Sequence, residues 1–449
     1  MGLVAGRGPV APERLDRPFQ DPLVRRLFPP LVTGVHWGLE RTERALTALA
    51  EPHRAYPSIH VGGTNGKGSV ASTLASVMRV EGRRTGCYTS PHLCSFRERI
   101  MVDGRPLTEE ALLAYAAEIR DVVIGSGLTF FEAVTVLAFH VFARERVEMA
   151  VMEVGLGGRL DATNVIVPDV SAVTNVAMDH SDFLGGTLRE IAREKAGIMK
   201  PNVPFVTTET ASELRAVFED VALERGTSVS YLEPEEIRDV SVSGEHTSFS
   251  MTTESWGDLE VRTPLVGRHQ ATNAGLAVAT LDRLPRDRRP GSAAILRGVS
   301  EVEYHGRDEL LVIDGVTWLF DVAHNTAGIL SLVDTLDRLG LPGPTTALVG
   351  VLGDKDWASM LPPLFSRVDR AVLTQPPTAP PERRWNPASA AAVVADITEL
   401  SVEEDFVRAF EKARLASADG GTVVVTGSVH TVGGAMRLLE REPLRRFAE

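Results

Sequence analysis

Residues 62–69, GGTNGKGS, constrain the fold more than any other stretch of this chain. They follow a short apolar strand, Pro57-Ser58-Ile59-His60-Val61. They precede a helical run, Val70 to Val80, that sets Leu74, Val77 and Met78 on one face. Strand, glycine-rich turn, lysine, hydroxyl and helix, in that order, is the layout of a phosphate-binding loop. The glycines Gly63, Gly66 and Gly68, with Thr64 and Asn65 between them, let backbone N–H groups curl around an anion. The helix that follows adds its positive end. Lys67 supplies a charge for the outer phosphates, and Ser69 or Thr64 an oxygen for magnesium or for the phosphates. The strict pattern has lysine followed at once by serine or threonine. Here Gly68 intervenes, which argues against an ordinary GTPase or kinase loop.

A phosphate loop of this kind belongs in an α/β sheet, and the rest of the chain agrees. Strand-like runs at 85–89, 148–154, 170–176 and 203–207 alternate with helical patterns at 109–123, 129–144 and 187–199. Thr187, with Glu190 three residues on, makes a capping box at the start of the last helix. The alternation predicts a mostly parallel, doubly wound sheet with helices on both faces. From Val240 to Leu265, serine and threonine alternate with apolar residues, which predicts antiparallel strands, and a helix follows from Asn273 to Leu284. A charged turn, 285–291, ends that run. Beyond Val299 strands recur at 310–313, 317–321, 345–351, 371–374 and 422–426, the pattern of a second, smaller α/β domain. The expected organisation is a frayed N-terminus over 1–18, an ATP-binding P-loop domain over 19–299 and a Rossmann-like α/β domain over 300–449. The five prolines between Pro376 and Pro387 predict a surface loop.

Composition narrows the class. With 449 residues, 43% hydrophobic and 24% charged, the chain is long enough for two or three globular domains. A net charge of −13 speaks against a general nucleic-acid binder, which needs a basic face. Two cysteines, Cys87 and Cys94, form no disulfide framework and read as reduced thiols, which suits a cytoplasmic chain. The first residues lack the apolar core of a signal peptide, and no run is long enough to span a membrane.

Ligand groups in open α/β sheets gather beyond the carboxyl ends of strands. Ser90 follows one strand, Glu153 ends the next, and Asp179 and His180 follow a third. With Lys67 these form a phosphate-plus-metal site, because magnesium takes oxygen ligands from carboxylates, waters and phosphates. A buried carboxylate without a role is costly, which favours function for Glu153. His180 on its own is an unusual magnesium ligand and could simply cap a turn. Lys195, in REIAREKAGI, reads as a solvated helix lysine. In the second domain Arg307 lies in YHGRDE, Asp321, His324 and Asn325 in LFDVAHN, and Asp354, Lys355 and Asp356 in LGDKDW. Polar clusters at two strand ends suggest a domain that closes over a ligand held by the first.

The blocks GLERTERALTAL, EPHRAYPSIHVGGTNGKGS, SPHLCSFRERI, TFFEAVTVLAF, EVGLGGRLDATN, LREIAREKAGIMKP, VGRHQATNA, DVAHN and GDKD occur in one order from about Gly38 onward. Together they resemble the folylpolyglutamate synthase/dihydrofolate synthase family of the Mur-ligase superfamily. The resemblance implies that ATP phosphorylates a dihydropteroate or folate carboxylate and that L-glutamate attacks the acyl phosphate to form an amide. It implies magnesium bound by Ser90 and Glu153, and a second magnesium bound by Glu153, His180 and a carbamylated Lys195. It also implies ATP contacts from Asn273, Arg307, Asp321 and His324, and a pterin side near Phe130-Phe131-Glu132 and the segment after Pro91. A family member of this kind can work as a monomer, without nucleic acid or membrane. Departures from the pattern are His305 and Thr326, each where a proline is usual, with Val322 and the segment 427–433. The alternatives are a sister Mur-type ligase acting on another carboxylate and a non-catalytic ATP-binding paralogue.

Overall fold

The computed structural model describes residues 21–28, 31, 37–394 and 396–447; the stretch 1–18 lies outside them. Eight strands form the first sheet: β1 (Ser58–Gly62), β2 (Thr85–Tyr88), β3 (Ile100–Val102), β4 (Arg105–Pro106), β5 (Met149–Glu153), β6 (Val170–Val173), β7 (Phe205–Thr207) and β8 (Val229–Tyr231). Their order is β4-β3-β2-β5-β1-β6-β7-β8. All neighbours are parallel except the β2–β3–β4 meander. Strand β1 therefore sits between β5 and β6, with Val61 level with both Glu153 and Ala172. That register carries Gly62 and Glu153 to the same rim of the sheet.

Side-chain alternation explains why both faces are covered. Along β5, Met149 and Val151 pack with Val70, Leu74, Val77 and Leu281 on one face. Ala150 and Met152 pack with Tyr88, Phe139 and Phe142 on the other. A strand with no polar face is buried on both sides, as a parallel sheet requires. Three antiparallel strands, β9 (Arg238–Val242), β10 (Thr247–Thr253) and β11 (Gly257–Thr263), follow as expected and close the first face. Cys87 and Cys94 are free and buried, and burial pushes the Cys87 thiol up to about 12.

The second sheet comprises β12 (Glu309–Ile313), β13 (Val316–Phe320), β14 (Thr345–Val349), β15 (Arg370–Leu373), β16 (Glu399–Val402) and β17 (Thr422–Thr426), ordered β12-β13-β17-β14-β15-β16. Only the β12–β13 hairpin is antiparallel. Among the described residues no helix is long and apolar enough to cross a membrane.

Three expectations shift. The helix after the phosphate loop begins at Lys67, not Val70, because Gly63 (φ 135°) and Gly66 (φ 84°) complete the turn before it. The helix expected from Asn273 runs Arg268–Asp282, because Gln270, Ala271 and Asn273 all face inward despite their mixed polarity. The proline-rich stretch is more than a surface loop: Trp385 is buried, its Nε1–H donates to Thr374 O at 2.9 Å, and Gln375 Nε2 donates to Trp385 O at 2.6 Å. The edge strand β16 was not expected, since Glu399 and Ser401 break its apolar run.

Leu74 is wholly buried between helix Lys67–Val80 and the sheet. Leu74→Ala should lower the unfolding free energy by about 2–5 kcal/mol, read from urea denaturation midpoints at constant m-value.

Candidate active site

The phosphate loop is clamped from beneath by the segment after β6. Thr64 N–H donates to Asn175 O at 2.9 Å, Ala177 N–H donates to Thr64 Oγ1 at 3.0 Å, and Asn65 N–H donates to Asn175 Oδ1 at 3.1 Å. Lys67 curls back so that Nζ donates to Gly63 O at 3.2 Å and Thr64 O at 3.1 Å. Gly68, the residue that breaks the strict loop pattern, lies in the first helical turn directly under the Tyr304 hydroxyl; a side chain there would overlap the phenol ring. The insertion thus makes room for a residue from the segment that joins the two sheets. Ser69 is buried behind it.

Lys195 is not the solvated lysine its surroundings suggest. Ile191, Ala192, Lys195 and Ala196 are the buried side of helix Leu188–Ala196. Its Nζ donates to Gly63 O at 2.8 Å, the carbonyl that Lys67 also meets. Burial, with Lys67 nearby, lowers its pKa to about 7. Its place four residues after Ile191 on an apolar helix face is the signal that could have found this.

Glu153 is buried at the tip of β5, where its Oε2 accepts Ser90 N–H at 2.8 Å. Burial raises its pKa, and Lys67, the Ser90 N–H, Arg307 and Arg99 oppose that rise. The structure thus brings Ser90, Glu153, Lys67, Lys195 and Arg307 into one charged neighbourhood. Asp179 stands on the other side of it. Its Oδ1 accepts Lys355 Nζ at 2.5 Å, both side chains being buried, and its Oδ2 accepts Asn325 Nδ2 at 3.2 Å and lies 3.4 Å from His324 Nε2. Burial would raise the Asp179 carboxyl, but His324 and Lys355 hold it well below the usual range. His180 follows with a left-handed backbone, φ 53°, and burial with Lys355 lowers its imidazole to about 4.

The second sheet meets the loop directly. Asn65 Nδ2 donates to Asn325 Oδ1 at 3.1 Å, and Asn325 Nδ2 donates to Asn65 Oδ1 at 2.9 Å. Asn273, whose Nδ2 donates to Gln270 Oε1 at 3.0 Å, packs against Gly66. Asp321 Oδ1 accepts Ala323 N–H at 2.8 Å, and the Arg307 guanidinium lies 5.4 Å from the Tyr304 ring. A cleft of about 1150 Å³ opens between the two sheets, lined by Ser90, Phe131, Glu132, His180, Arg307 and Lys355 among others. Glu132 is already engaged: it caps its own helix and pairs with Arg41 at 2.8 Å. Asp161, in the EVGLGGRLDATN block, was missed by sequence reasoning; its Oδ2 accepts the N–H groups of Gly155 (3.0 Å) and Leu156 (2.8 Å) and so shapes that turn.

The donor set suits a hard cation in part. A buried carboxylate and a serine meet at the loop, whereas Lys195 offers an N–H rather than an oxygen. Among the described residues no group of three or more His, Cys, Asp or Glu converges on one point.

The chain matches the Mur ligase middle domain over residues 61–281 and the glutamate ligase domain of Mur ligases over residues 306–429. It is 33% identical to the dihydrofolate synthase/folylpolyglutamate synthase of Escherichia coli, covering 90% of this chain and 91% of that one. It is 35% identical over 89% of its length to a probable bifunctional folylpolyglutamate synthase/dihydropteroate synthase of Haloferax volcanii, and spans 48% of that longer protein. A solved structure of E. coli FolC in complex with DHPP and ADP superposes with a TM-score of 0.81 at 31% identity, over 95% of this chain and 98% of that one. The fold is thus that of a Mur-type ligase. The chain belongs to the folylpolyglutamate synthase/dihydrofolate synthase family.

Because Gly68 sits under Tyr304, Gly68→Ala should cost roughly 1–3 kcal/mol in thermal or urea unfolding. Adding Tyr304→Ala to Gly68→Ala should recover part of that loss, and a double-mutant cycle measures the coupling.

Proposed function

We propose that this chain uses ATP to add L-glutamate to dihydropteroate, to folates, or to both, working as a monomer. The observation that carries the reading is the convergence of Lys67 and Lys195 on the Gly63 carbonyl, near the buried Glu153, whose partner Ser90 lines one cleft with Phe130 and Phe131. The E. coli relative bound to DHPP and ADP supports the same pairing of acceptor and nucleotide.

In this reading the backbone N–H groups of Gly66 to Ser69, at the start of helix Lys67–Val80, hold the phosphates, and Lys67 leaves its two carbonyl partners to follow the transferred group. Asn273, Arg307, Asp321 and His324 hold the nucleotide. The acceptor carboxylate oxygen attacks the γ-phosphorus and ADP departs. The glutamate amine then attacks the acyl carbon, giving up a proton as the amide forms and phosphate leaves. Loop and lysine stabilise the charge spread over the phosphoryl oxygens in the first step. Ser90 and Glu153 would hold one magnesium, and Glu153, His180 and Lys195 a second. Such ions neutralise phosphate charge.

Lys195 fits the second position only as a carbamate. Its depressed pKa leaves a large neutral fraction at neutral pH, and a neutral amine adds CO2 with release of a proton. A carbamate keeps one N–H, which could still donate to Gly63 O.

With magnesium and bicarbonate, ADP release from pure protein should require both glutamate and one of the two acceptors, dihydropteroate or tetrahydrofolate. No turnover with either acceptor overturns the reading. Lys67→Ala should lower turnover by about 10²-fold or more while leaving the melting temperature nearly unchanged, because Lys67 serves a loop rather than the core. In ¹³C-bicarbonate a carbamate carbon resonance should appear in the wild type and be missing from Lys195→Met; equal spectra refute the carbamate.

A further inference from the structure

Asp308 follows Arg307 and has no part in the chemistry above. Its side chain is wholly buried and its backbone is left-handed, φ 47°, a conformation that a non-glycine residue holds only when its surroundings compensate. Asp321 faces it from the end of β13, accepting Asp308 N–H on Oδ2 at 3.1 Å. Thr335 and Asp334 face it from helix Thr326–Leu339, and His269 Nε2 lies 3.9 Å away on helix Arg268–Asp282. Arg307 is its chain neighbour. Asp308 Oδ1 has no hydrogen-bond partner, and Oδ2 lies 2.6 Å from Thr335 Oγ1.

The Thr335 hydroxyl also lies 3.1 Å from Ser331 O. A hydroxyl has one proton, so donation to a carboxylate and to a carbonyl would have to share it. With the proton on Asp308 both contacts become full hydrogen bonds: Oδ2–H donates to Thr335 Oγ1, and Thr335 donates to Ser331 O. Oδ1 is then the carbonyl oxygen of a neutral acid, whose missing partner costs less than that of an ion. His269 supplies no balancing charge, because burial holds its imidazole at about 4. Burial, followed by the charge of Asp321, likewise pushes the Asp308 carboxyl well above its usual range.

We propose that Asp308 is a neutral carboxylic acid in the folded chain and a positioning residue for the nucleotide pocket, tying the Arg307 turn and Asp321 to helix Thr326–Leu339. Its functional consequence rests on Arg307 and Asp321 as nucleotide contacts; its protonation rests on its full burial, the unpartnered Oδ1 and the carboxylate of Asp321 that faces it. An ionised Asp308 would set a second anion beside Asp321 and draw on the charge of Arg307. As a neutral acid it leaves the negative charge of the pair to Asp321. Burial raises that carboxyl as well, but Arg307 and the N–H groups of Ala323 and Asp308 favour its anion.

Infrared difference spectra of wild type against Asp308→Asn at neutral pH should show the C=O stretch of a protonated, hydrogen-bonded acid in the wild type alone; absence of that band overturns the proposal. Thr335→Val, which removes the acceptor of the acid proton, should move the band to the free-acid position, and an unmoved band overturns the relay. A carboxyl that binds its proton more tightly when folded stabilises fully below its unfolded value, near ~3.9, and that stability is lost as pH rises toward the folded value. Asp308→Asn lacks this loss. Its melting temperature relative to wild type should therefore climb as pH rises above ~3.9; a flat or falling difference overturns the assignment. Asp308→Ala, which cuts the tie, should weaken ADP binding by about threefold to tenfold, and unchanged affinity overturns the positioning role. If wild type binds no ADP at all, the nucleotide reading fails, while the infrared band still decides the proton.

Discussion

Two lysine side chains aimed at one backbone carbonyl set the terms for the rest of the molecule. Lys67 and Lys195 both meet Gly63 O at the end of β1. Neither tolerates burial easily, and burial moves both away from their usual values. Nearby groups answer that charge: Glu153 from β5 and Asp179 after β6, each at a strand end adjoining β1. The parallel register places Glu153 level with the loop, and the segment after β6 carries Asp179 to it, held there by Asn325 and Lys355. The fold itself organises the charges around the loop, which is what lowers the cost of stabilising a phosphoryl group.

A second consequence concerns how the two parts of the chain meet. The amide of Asn325 caps helix Thr326–Leu339, exchanges hydrogen bonds with Asn65 and donates to Asp179. Lys355 adds a buried ion pair to the same carboxylate. One acidic group in the first part is therefore held by two segments of the second. A movement of either part would be felt at the tip of the phosphate loop.

Much of this was legible in the sequence, and the exceptions have physical causes. The strand–loop–helix unit, the capping box at Thr187 and Glu190 and the antiparallel insert follow from periodicity and turn chemistry, which are local. The helix starts at Lys67 and Arg268 were placed late because glycine and polar residues mask helical turns when they face a neighbouring segment. The burial of Lys195 could be read only from the face it shares with Ile191, and a lysine there looks like an error of pattern. The grouping of Ser90, Glu153 and Lys67 was legible because each follows or ends a strand, and such positions gather at one rim of a parallel sheet. Asp308 gave no signal at all: its surroundings come from three segments far apart in the chain.

The seat of Tyr304 on Gly68 bears on how such ligases can be recombined. The phenol belongs to the connection leading into the second sheet, and the glycine belongs to the first helix of the nucleotide-binding half. The two positions form one packing unit. A chimaera whose front half has a larger residue at position 68 would meet a collision with this tyrosine, and one whose back half lacks the tyrosine would leave a hollow, even if both halves fold well. Exchange points placed after residue 307 would keep the pair together and transfer the back half intact.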